Sequence, residues 1–200
     1  MEALINAGGK GSRMGQTTVE KPMQPIGGVP IIQHVIDAMQ KSAEIDHILV
    51  SVSPHTVNTE KYLKERGIET LRTSGEDFMM DLRASFSTLS GDYVLTCPSD
   101  VPFVTPAVFD RTIRYFKPEM QSLIVMVTAD AVVNRGVIPS YTMKIDGKEW
   151  VLSGVSVMDR KATVNGRYLS EEYLFTDWEE LAMNLNTQDE LSLARKIADP

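Results

Sequence analysis

The sequence predicts an α/β fold in which a mainly parallel sheet is covered by helices on both faces. Short apolar runs alternate with helical patterns over the first two-thirds of the 200 residues, and this alternation implies right-handed crossovers between parallel strands. The first apolar run, residues 3–7, ends in glycines, as buried parallel strands often do. Residues 141–152, centred on Asp146-Gly147, instead predict a small inserted β-hairpin.

Turn and capping residues set the bounds of the predicted elements. Strands are predicted at residues 3–7, 48–52, 69–72, 93–96 and 123–127, with hairpin strands at 141–145 and 149–152. Helices are predicted from Pro30 to Met39 and at residues 59–66, 77–89, 105–116 and 188–197. Thr105-Pro106 is an N-cap followed by an N1 proline, and Thr187 forms a capping box with Glu190.

The composition is that of an ordinary globular protein. Hydrophobic residues make up 42% of the chain, and the formal net charge of −7 argues against a general nucleic-acid surface. No run approaches the roughly 18 apolar residues of a membrane span, and the first residues lack the basic region of a signal peptide. The one cysteine, Cys97, fits a reducing compartment. We therefore expect a cytoplasmic protein with a single domain over residues 1–200.

Residues 8–15 have the properties of a phosphate-binding loop. Four glycines in eight residues follow directly after a predicted strand, so the backbone can turn tightly with its N–H groups facing one point. Lys10, Arg13 and Lys21 add the positive charge that a triphosphate requires. The loop fits neither the Walker A pattern nor G-x-G-x-x-G. The alternative is a flexible surface loop rich in glycine and charge.

Asp100 is the candidate metal ligand. It follows the predicted strand at 93–96, and in open α/β sheets the ligand lies beyond the carboxyl ends of the strands. Nucleotide-bound Mg²⁺ typically takes one or two protein carboxylates, with phosphate oxygens and water completing its octahedron. The alternative for Asp100 is a turn residue or helix cap before Pro102.

Residues 7–15 with Glu20-Lys21-Pro22 resemble the A-G-G-x-G-x-R-M-G…K-P signature of the nucleotidyltransferases that include the molybdenum-cofactor guanylyltransferases. The resemblance implies a Rossmann-like three-layer α/β/α nucleotidyltransferase fold, with Arg13, Lys21 and Asp100 as catalytic residues and Mg²⁺ on Asp100. The nucleotide-binding residues that it implies are Ala7, Gly8, Gly9, Lys10, Gly11, Ser12, Arg13, Lys21, Ser53, Ser74, Gly75 and Asp100. Asn6 is a departure, because the family usually has an apolar residue there.

Two further loops concern the nucleoside and the acceptor. The resemblance suggests that residues 51–54 and 71–75 enclose the nucleoside, with Ser74 and Gly75 bonding the base or ribose; a helix-start turn is the alternative. Residues 153–158 and 184–191 are similar to the branch of the family that acts on cobinamide phosphate, which makes Gly154, Asn184 and Asn186 acceptor-side candidates. Some relatives have a second metal-binding carboxylate where this chain has the two asparagines.

The activity implied by the resemblance is GMP transfer from GTP to adenosylcobinamide phosphate, a corrinoid phosphate, in cobalamin biosynthesis. The products are adenosylcobinamide-GDP and pyrophosphate. Another guanylyl- or nucleotidyltransferase activity, such as that on the molybdenum cofactor, and a non-catalytic nucleotide-binding module are the alternatives. Trp150 and Trp178 have three open interpretations: stacking on a corrin ring, anchoring a small domain, or forming a homodimer contact. Cys97 is interpreted as a small buried thiol rather than a nucleophile.

Overall fold

The computed structural model describes residues 1–15 and 17–198. In chain order the strands are β1 (Glu2–Asn6), β2 (Pro25–Ile26), β3 (Val29–Pro30), β4 (His47–Val52), β5 (Glu69–Arg72), β6 (Tyr93–Pro98), β7 (Ser122–Thr128), β8 (Thr142–Ile145), β9 (Lys148–Asp159) and β10 (Glu171–Thr176). The α-helices are α1 (Ile31–Gln40), α2 (Val57–Lys64), α3 (Phe78–Thr88), α4 (Pro106–Tyr115), α5 (Ala129–Asn134), α6 (Arg160–Val164) and α7 (Gln188–Ala198).

The main sheet is mixed and mostly parallel, with strand order β10-β7-β9-β6-β1-β4-β5, and β8 adds to β9. Strand β1 pairs in parallel with both β4 and β6, while β9 runs antiparallel between β6 and β7. The parallel strands therefore place the carboxyl ends of β1, β4, β5 and β6 at one edge, as predicted for this fold class. A separate two-stranded hairpin joins β2 and β3.

The predicted inserted hairpin is correct in position but too short. Strand β8 pairs only with the first residues of β9, whose total length is 12 residues and which continues through the centre of the sheet. Ser153-Gly154 breaks the apolar pattern of that strand at a register shift, where the backbone of Gly154 has φ +83°. Strand β10 was not predicted, because it begins with the charged pair Glu171-Glu172.

Two apolar clusters on opposite faces of the sheet make up the core. One joins alternate residues of the central strands, such as Ala3 and Ile5, to helices α1, α4 and α7. The other joins Leu4 of β1 to Leu82 and Phe86 of α3. This alternation follows from the two-residue period of a strand, and full burial of each large side chain stabilises the fold by about 1.5–3 kcal/mol. The arrangement confirms the predicted three-layer α/β/α fold.

The helix termini agree with the capping analysis except at one threonine, Thr105, and one proline, Pro30. Glu190 N–H donates to Thr187 Oγ1 at 3.2 Å, and Thr187 N–H donates to the Glu190 carboxylate at 2.8 Å, which confirms the capping box. Thr105 occupies the N-cap position of α4 without a side-chain cap bond, and Pro30 lies at the N-cap of α1 rather than at N1. Within the described ranges, no helix has the length and apolarity needed to cross a membrane.

Candidate functional site

The glycine-rich loop leaves β1 at the carboxyl edge of the sheet. Ala7 N–H donates to Ser51 O at 2.9 Å, which extends the pairing of β1 with β4 by one residue. Gly11 has φ +62°, and a Cβ there would lie 3.3 Å from Lys21 Cβ. Glycine at this position therefore permits both the left-handed backbone and the close approach of Lys21. A Cβ on Gly9 would meet nothing within 4 Å, so this part of the loop faces open space.

Ser53 supports the loop from below. It is fully buried, its Oγ donates to Gly8 O at 2.7 Å, and it accepts a hydrogen bond from His55 N–H at 3.0 Å. Gly75 packs on the other side with φ +73°, where a Cβ would lie only 2.7 Å from Ser53 Cβ. Ser53 is therefore a buried residue that packs between two loops bordering the cleft, and it does not lie on the surface of the cleft.

Lys21, Asp100 and Asn186 meet at the floor of the site. Lys21 Nζ donates to Asp100 Oδ2 at 2.5 Å and to Asn186 Oδ1 at 3.0 Å. The Lys21 and Asp100 side chains are only 16% and 14% exposed, so the ion pair is weakly screened by solvent. Leu185 N–H donates to the Asp100 carbonyl at 3.0 Å, which fastens the 184–186 segment to this cluster.

The second carboxylate oxygen of Asp100 is the notable feature of this cluster. Asp100 Oδ1 is buried and has no hydrogen-bond partner within the described residues, and the same is true of Asn184 Oδ1. Burying such an oxygen without a partner costs free energy. Oxygen donors of these two types suit Mg²⁺. No group of three or more His, Cys, Asp or Glu in the described part of the chain could hold a metal.

The acceptor-side candidates lie at different depths. Asn186 lines the cleft beside the glycine-rich loop. Asn184 lies behind it, where its Nδ2 donates to Ser153 O at 3.4 Å. Gly154 is exposed on β9, and a Cβ there would lie 2.8 Å from Pro98 Cγ at the end of β6. A larger residue at 154 would therefore press on the strand end that leads to the Asp100 loop.

Two cations stand at the mouth of the cleft. Lys10 Nζ contacts Glu76 Oε2 at 2.7 Å, and His55 Nε2 lies 3.2 Å from the other oxygen of the same carboxylate. The hydrogen bond from Lys10, followed by that from His55, lowers the pKa of Glu76. The Arg13 guanidinium lies 5.3 Å from the ring centroid of Tyr141. Both side chains, Lys10 and Arg13, are exposed, so they can leave their present partners and bind a polyanionic ligand with little loss of interaction free energy.

Asp81 is a site residue that the sequence interpretation missed. Its carboxylate accepts hydrogen bonds from Ser74 N–H at 3.0 Å, Ser74 Oγ at 2.8 Å and Gly75 N–H at 2.9 Å. Ser74 Oγ also accepts from Glu76 N–H at 3.2 Å, which is the helix-start turn considered as the alternative. The only sequence signal for this clamp is an acidic residue in the first turn of α3, six residues beyond Gly75.

These elements enclose a cleft of about 440 Å³, within the usual range for a small-ligand site. Asn6, Thr73 and Phe78 join its walls. Ser53, Ser74, Gly154 and Asn184 do not line it. The sequence-predicted residues that do line it are Ala7, Gly8, Gly9, Lys10, Gly11, Ser12, Arg13, Lys21, Gly75, Asp100 and Asn186.

Cys97, Trp150 and Trp178 do not line the cleft, and each packs against other residues of the chain. Cys97 is fully buried, and burial, followed by the nearby Asp100 charge, raises the pKa of its thiol well above the ordinary value. A thiol of this kind is a poor nucleophile. Trp178 packs against the larger core, with Arg111 5.0 Å from its ring centroid. Trp150 instead packs against Phe175, with ring centroids 4.5 Å apart and ring planes tilted by 47°.

Comparison with known proteins identifies relatives over nearly the whole chain. The chain is 32% identical over 208 aligned residues to adenosylcobinamide-phosphate guanylyltransferase of Methanocaldococcus jannaschii, covering 98% of this chain and 97% of the relative. It is 29% identical over 197 residues to molybdenum cofactor guanylyltransferase of Cupriavidus metallidurans, covering 95% of this chain and 92% of the relative.

Solved structures share the fold at low sequence identity. A CMP:2-keto-3-deoxy-manno-octonic acid synthetase complexed with CTP matches with a TM-score of 0.72 at 13% identity, covering 98% of this chain and 97% of that one. A 4-diphosphocytidyl-2C-methyl-D-erythritol synthase from Anaerococcus prevotii matches with a TM-score of 0.71 at 16% identity, covering 100% and 96%. The model of the MobA-like NTP transferase domain matches residues 3–166. The chain therefore belongs to the MobA-like NTP transferase family of nucleotidyltransferase enzymes.

Proposed function

We propose that the protein transfers GMP from GTP to adenosylcobinamide phosphate, giving adenosylcobinamide-GDP and pyrophosphate. The observation that carries this proposal is the weakly exposed Lys21–Asp100 pair beneath the glycine-rich loop, with Asn186 as its third member. The choice of acceptor is supported by similarity to the Methanocaldococcus jannaschii enzyme over nearly the full length of both chains. We further propose that residues 1–200 act as a single nucleotidyltransferase domain.

The phosphate groups of GTP would bind along the loop. Its amides, with Arg13 and Lys10, would hold the β- and γ-phosphates, and Lys21 would contact the α-phosphate. Lys10 would exchange Glu76 for phosphate, because both partners of that ion pair are more than half exposed. Because the Lys21 side chain is only 16% exposed, its charge would stabilise the reacting phosphate more strongly than the same charge in bulk solvent.

Asp100, with Asn184 and Asn186 nearby, would hold Mg²⁺. This assignment is supported by the buried oxygens of Asp100 and Asn184, which have no partner in the part of the chain that the structure describes. Bound Mg²⁺ offsets the charge on phosphate oxygens during nucleotidyl transfer. Asn186 Oδ1, which accepts a hydrogen bond from Lys21 Nζ at 3.0 Å, would keep the Lys21 ammonium oriented toward the α-phosphate.

The chemical step requires little proton transfer. An oxygen of the acceptor phosphate attacks the α-phosphorus of GTP in line, the bond from that phosphorus to the bridging oxygen breaks, and pyrophosphate leaves with the bonding electrons. The acceptor phosphate is already anionic near neutral pH, so no general base is required. The work of the protein is therefore positioning and charge stabilisation.

The decisive assay supplies purified protein with GTP, Mg²⁺ and adenosylcobinamide phosphate. We expect pyrophosphate release that depends on the acceptor, with adenosylcobinamide-GDP detected by mass spectrometry. Molybdopterin replaces the acceptor in a parallel reaction, because the similarity to the Cupriavidus metallidurans enzyme makes that activity the second candidate. Release with molybdopterin alone would reassign the acceptor. GTP binding without pyrophosphate release from either acceptor would indicate a nucleotide-binding module.

Calorimetric titration with GTP, ATP, CTP and UTP, each with Mg²⁺, tests the choice of base independently. Selective binding of GTP is the expected result. Selective binding of another triphosphate would contradict guanylyl transfer while leaving the family assignment intact.

A further inference from the structure

An apolar surface lies outside both core clusters on one face of the main sheet. Ile124, Met143, Trp150, Tyr173 and Phe175 belong to neither cluster of the described residues. The ring centroid of Phe175 lies 4.5 Å from that of Trp150 and 6.1 Å from that of Tyr173, with ring planes tilted by 47° and 32°, so three aromatic side chains from β9 and β10 form one continuous apolar surface, here called the platform. Phe175 is 42% exposed, and Met143, which is opposite Trp150 in the neighbouring strand, is 37% exposed, so these side chains form a contiguous exposed apolar patch of the kind that marks an interaction site.

This platform lies at the same edge of the sheet as the nucleotide cleft. Trp150 is opposite Thr128, the last residue of the parallel strand β7. Along β9, Trp150 is four residues from Gly154, about 13 Å at about 3.3 Å per residue. Gly154 in turn packs against Pro98, two residues before Asp100. A ligand on the platform therefore extends toward the Asp100 loop without leaving the sheet surface.

A second connection runs along helix α3. Phe78, its first residue, lines the nucleotide cleft, and the next residue, Met79, lines a separate groove of about 480 Å³ on this face. The floor of that groove includes Ile124 and Ser156 from β7 and β9, and Arg167 borders it. The groove and the platform share one sheet face, because Ile124 and Phe175 belong to neighbouring strands and alternate residues of a strand point to the same side.

The chemistry of this face suits a broad ring system. Aromatic and thioether side chains favour contact with a flat, polarisable ligand, and the Ser156 and Arg167 side chains can donate hydrogen bonds to carbonyl groups at its periphery. A ligand with an anionic arm could then reach Lys21 with that arm while its ring remains on the platform. The acceptor of the proposed reaction is such a molecule: a macrocycle carrying amide groups and a terminal phosphate.

We propose that the ring of the acceptor binds on this platform, with Trp150 and Phe175 beneath it, while its phosphate extends past Gly154 to the reaction centre. This inference rests on the proposed function. It goes further by assigning the acceptor to the β9–β10 face rather than to the loops around the nucleotide. It also gives the two tryptophans different roles: Trp150 contacts the acceptor ring, whereas Trp178 packs against the larger core.

The first test uses cobinamide without its phosphate, so that binding is measured independently of GMP transfer. The protein is labelled with 5-fluorotryptophan, and its two ¹⁹F signals are assigned with Trp150→Phe. We expect diamagnetic cobinamide to shift the Trp150 signal saturably and to leave the Trp178 signal nearly unchanged. A shift confined to Trp178, or no binding of cobinamide to the wild-type protein, would overturn the inference.

The second test removes the platform. Trp150→Leu and Phe175→Ser should each weaken cobinamide binding by about tenfold or more, through lost ring contact and apolar burial. Tyr115→Ser is the matched control, because Tyr115 is a 48%-exposed aromatic on α4, away from this face. GTP affinity should be unchanged in all three variants, which also shows that they are folded.

Turnover separates this inference from the proposed function. If the wild-type protein transfers GMP to adenosylcobinamide phosphate but the platform variants keep the wild-type KM for that acceptor, the inference is wrong and the function stands. Transfer to molybdopterin alone contradicts the function, and the inference then fails through the absence of cobinamide binding. A homodimer that dissociates on Phe175→Glu would assign the platform to a second copy and overturn the inference.

Discussion

Replacing Asp100 by Asn separates the structural role of this residue from the role at the reaction centre that we propose for it. The substitution keeps the shape and leaves one oxygen to accept the Lys21 hydrogen bond, but it removes the negative charge. In the wild-type protein one carboxylate oxygen is buried without a partner among the described residues, a cost of about 1–3 kcal/mol when the group is not relieved by a ligand. An amide at this position bears a smaller cost, because it is uncharged.

The expected change in stability is therefore small, while the change in activity is large. Without ligands, Asp100→Asn should lower the free energy of unfolding by about 1 kcal/mol, because the Lys21 ammonium loses its counter-charge, while the amide oxygen still accepts the Lys21 hydrogen bond and the desolvation of a charged carboxylate no longer opposes folding. Turnover should fall by about 10²–10³-fold, the usual effect of removing one preorganised charge or dipole from a reaction centre. Asp100→Asn should therefore change the turnover rate much more than it changes the free energy of unfolding.

Thermal unfolding with and without ligands measures the first part. For the wild-type protein, GTP with Mg²⁺ at about 100 times the proposed Kd should add about 2.7 kcal/mol to the free energy of unfolding, or about 5–10 °C to Tm for a chain of this size. The Mg²⁺-dependent part of that rise should be lost in Asp100→Asn. Asp100→Ala is the control for shape, and it should be less stable than Asp100→Asn because Lys21 loses its main partner. An undiminished Mg²⁺ effect, or turnover above about one-tenth of wild type, would refute this reasoning.

Three further predictions concern the loops and the last helix. Gly75→Ala should lower the free energy of unfolding by about 1–3 kcal/mol and weaken GTP binding, because residue 75 has a left-handed φ of +73° and its new Cβ would lie 2.7 Å from Ser53 Cβ. Gly67→Ala is the matched control in urea unfolding, because Gly67 has φ +70° but open space around it. The pKa of Glu76 is lowered from its ordinary value of 4.5, so the stabilisation from its pairing with Lys10 is present above pH 4.5 and is lost as the pH falls through the folded-state pKa. Glu76→Gln should remove this part of the pH dependence of the urea midpoint, and an identical pH profile would count against the ion pair. Thr187→Ala should cost about 1 kcal/mol through loss of the N-cap bond, measured by chemical denaturation, and no change would mean that the cap is dispensable.

The local parts of the fold could be predicted from the sequence because their causes are local. The buried strand before Gly8, the capping box of α7 and the alternation of strands with helices each depend on residues within a few positions of one another. Strand β9 could not be bounded in the same way. Its second half is stabilised by neighbours on both sides, β6 and β7, and its own sequence is interrupted at Ser153-Gly154.

The contacts that hold the loops of the cleft in place could not be predicted from the sequence either. Asp81 closes the Ser74-Gly75 turn from inside a helix and lies in no recognisable motif. Ser53, which the resemblance implied as a nucleotide-binding residue, separates Gly8 from Gly75, and this supporting position was not predicted. Each acts through a neighbour brought close by the fold. Phe175 illustrates the same point on the sheet face, because only the pairing of β10 with β7 brings its ring onto Trp150.

By itself the sequence determined the glycine-rich loop, its cations and the position of Asp100 after a strand, because covalent order and backbone preference specify them. Tertiary structure alone decided that Lys21 meets Asp100, 79 residues away, and Asn186, 165 residues away. The physical reason is that parallel pairing gathers strand ends from distant parts of the chain at one edge of the sheet. There, a charge pair that would be worth little in water becomes weakly screened, and an oxygen without a partner among the described residues remains available for a ligand.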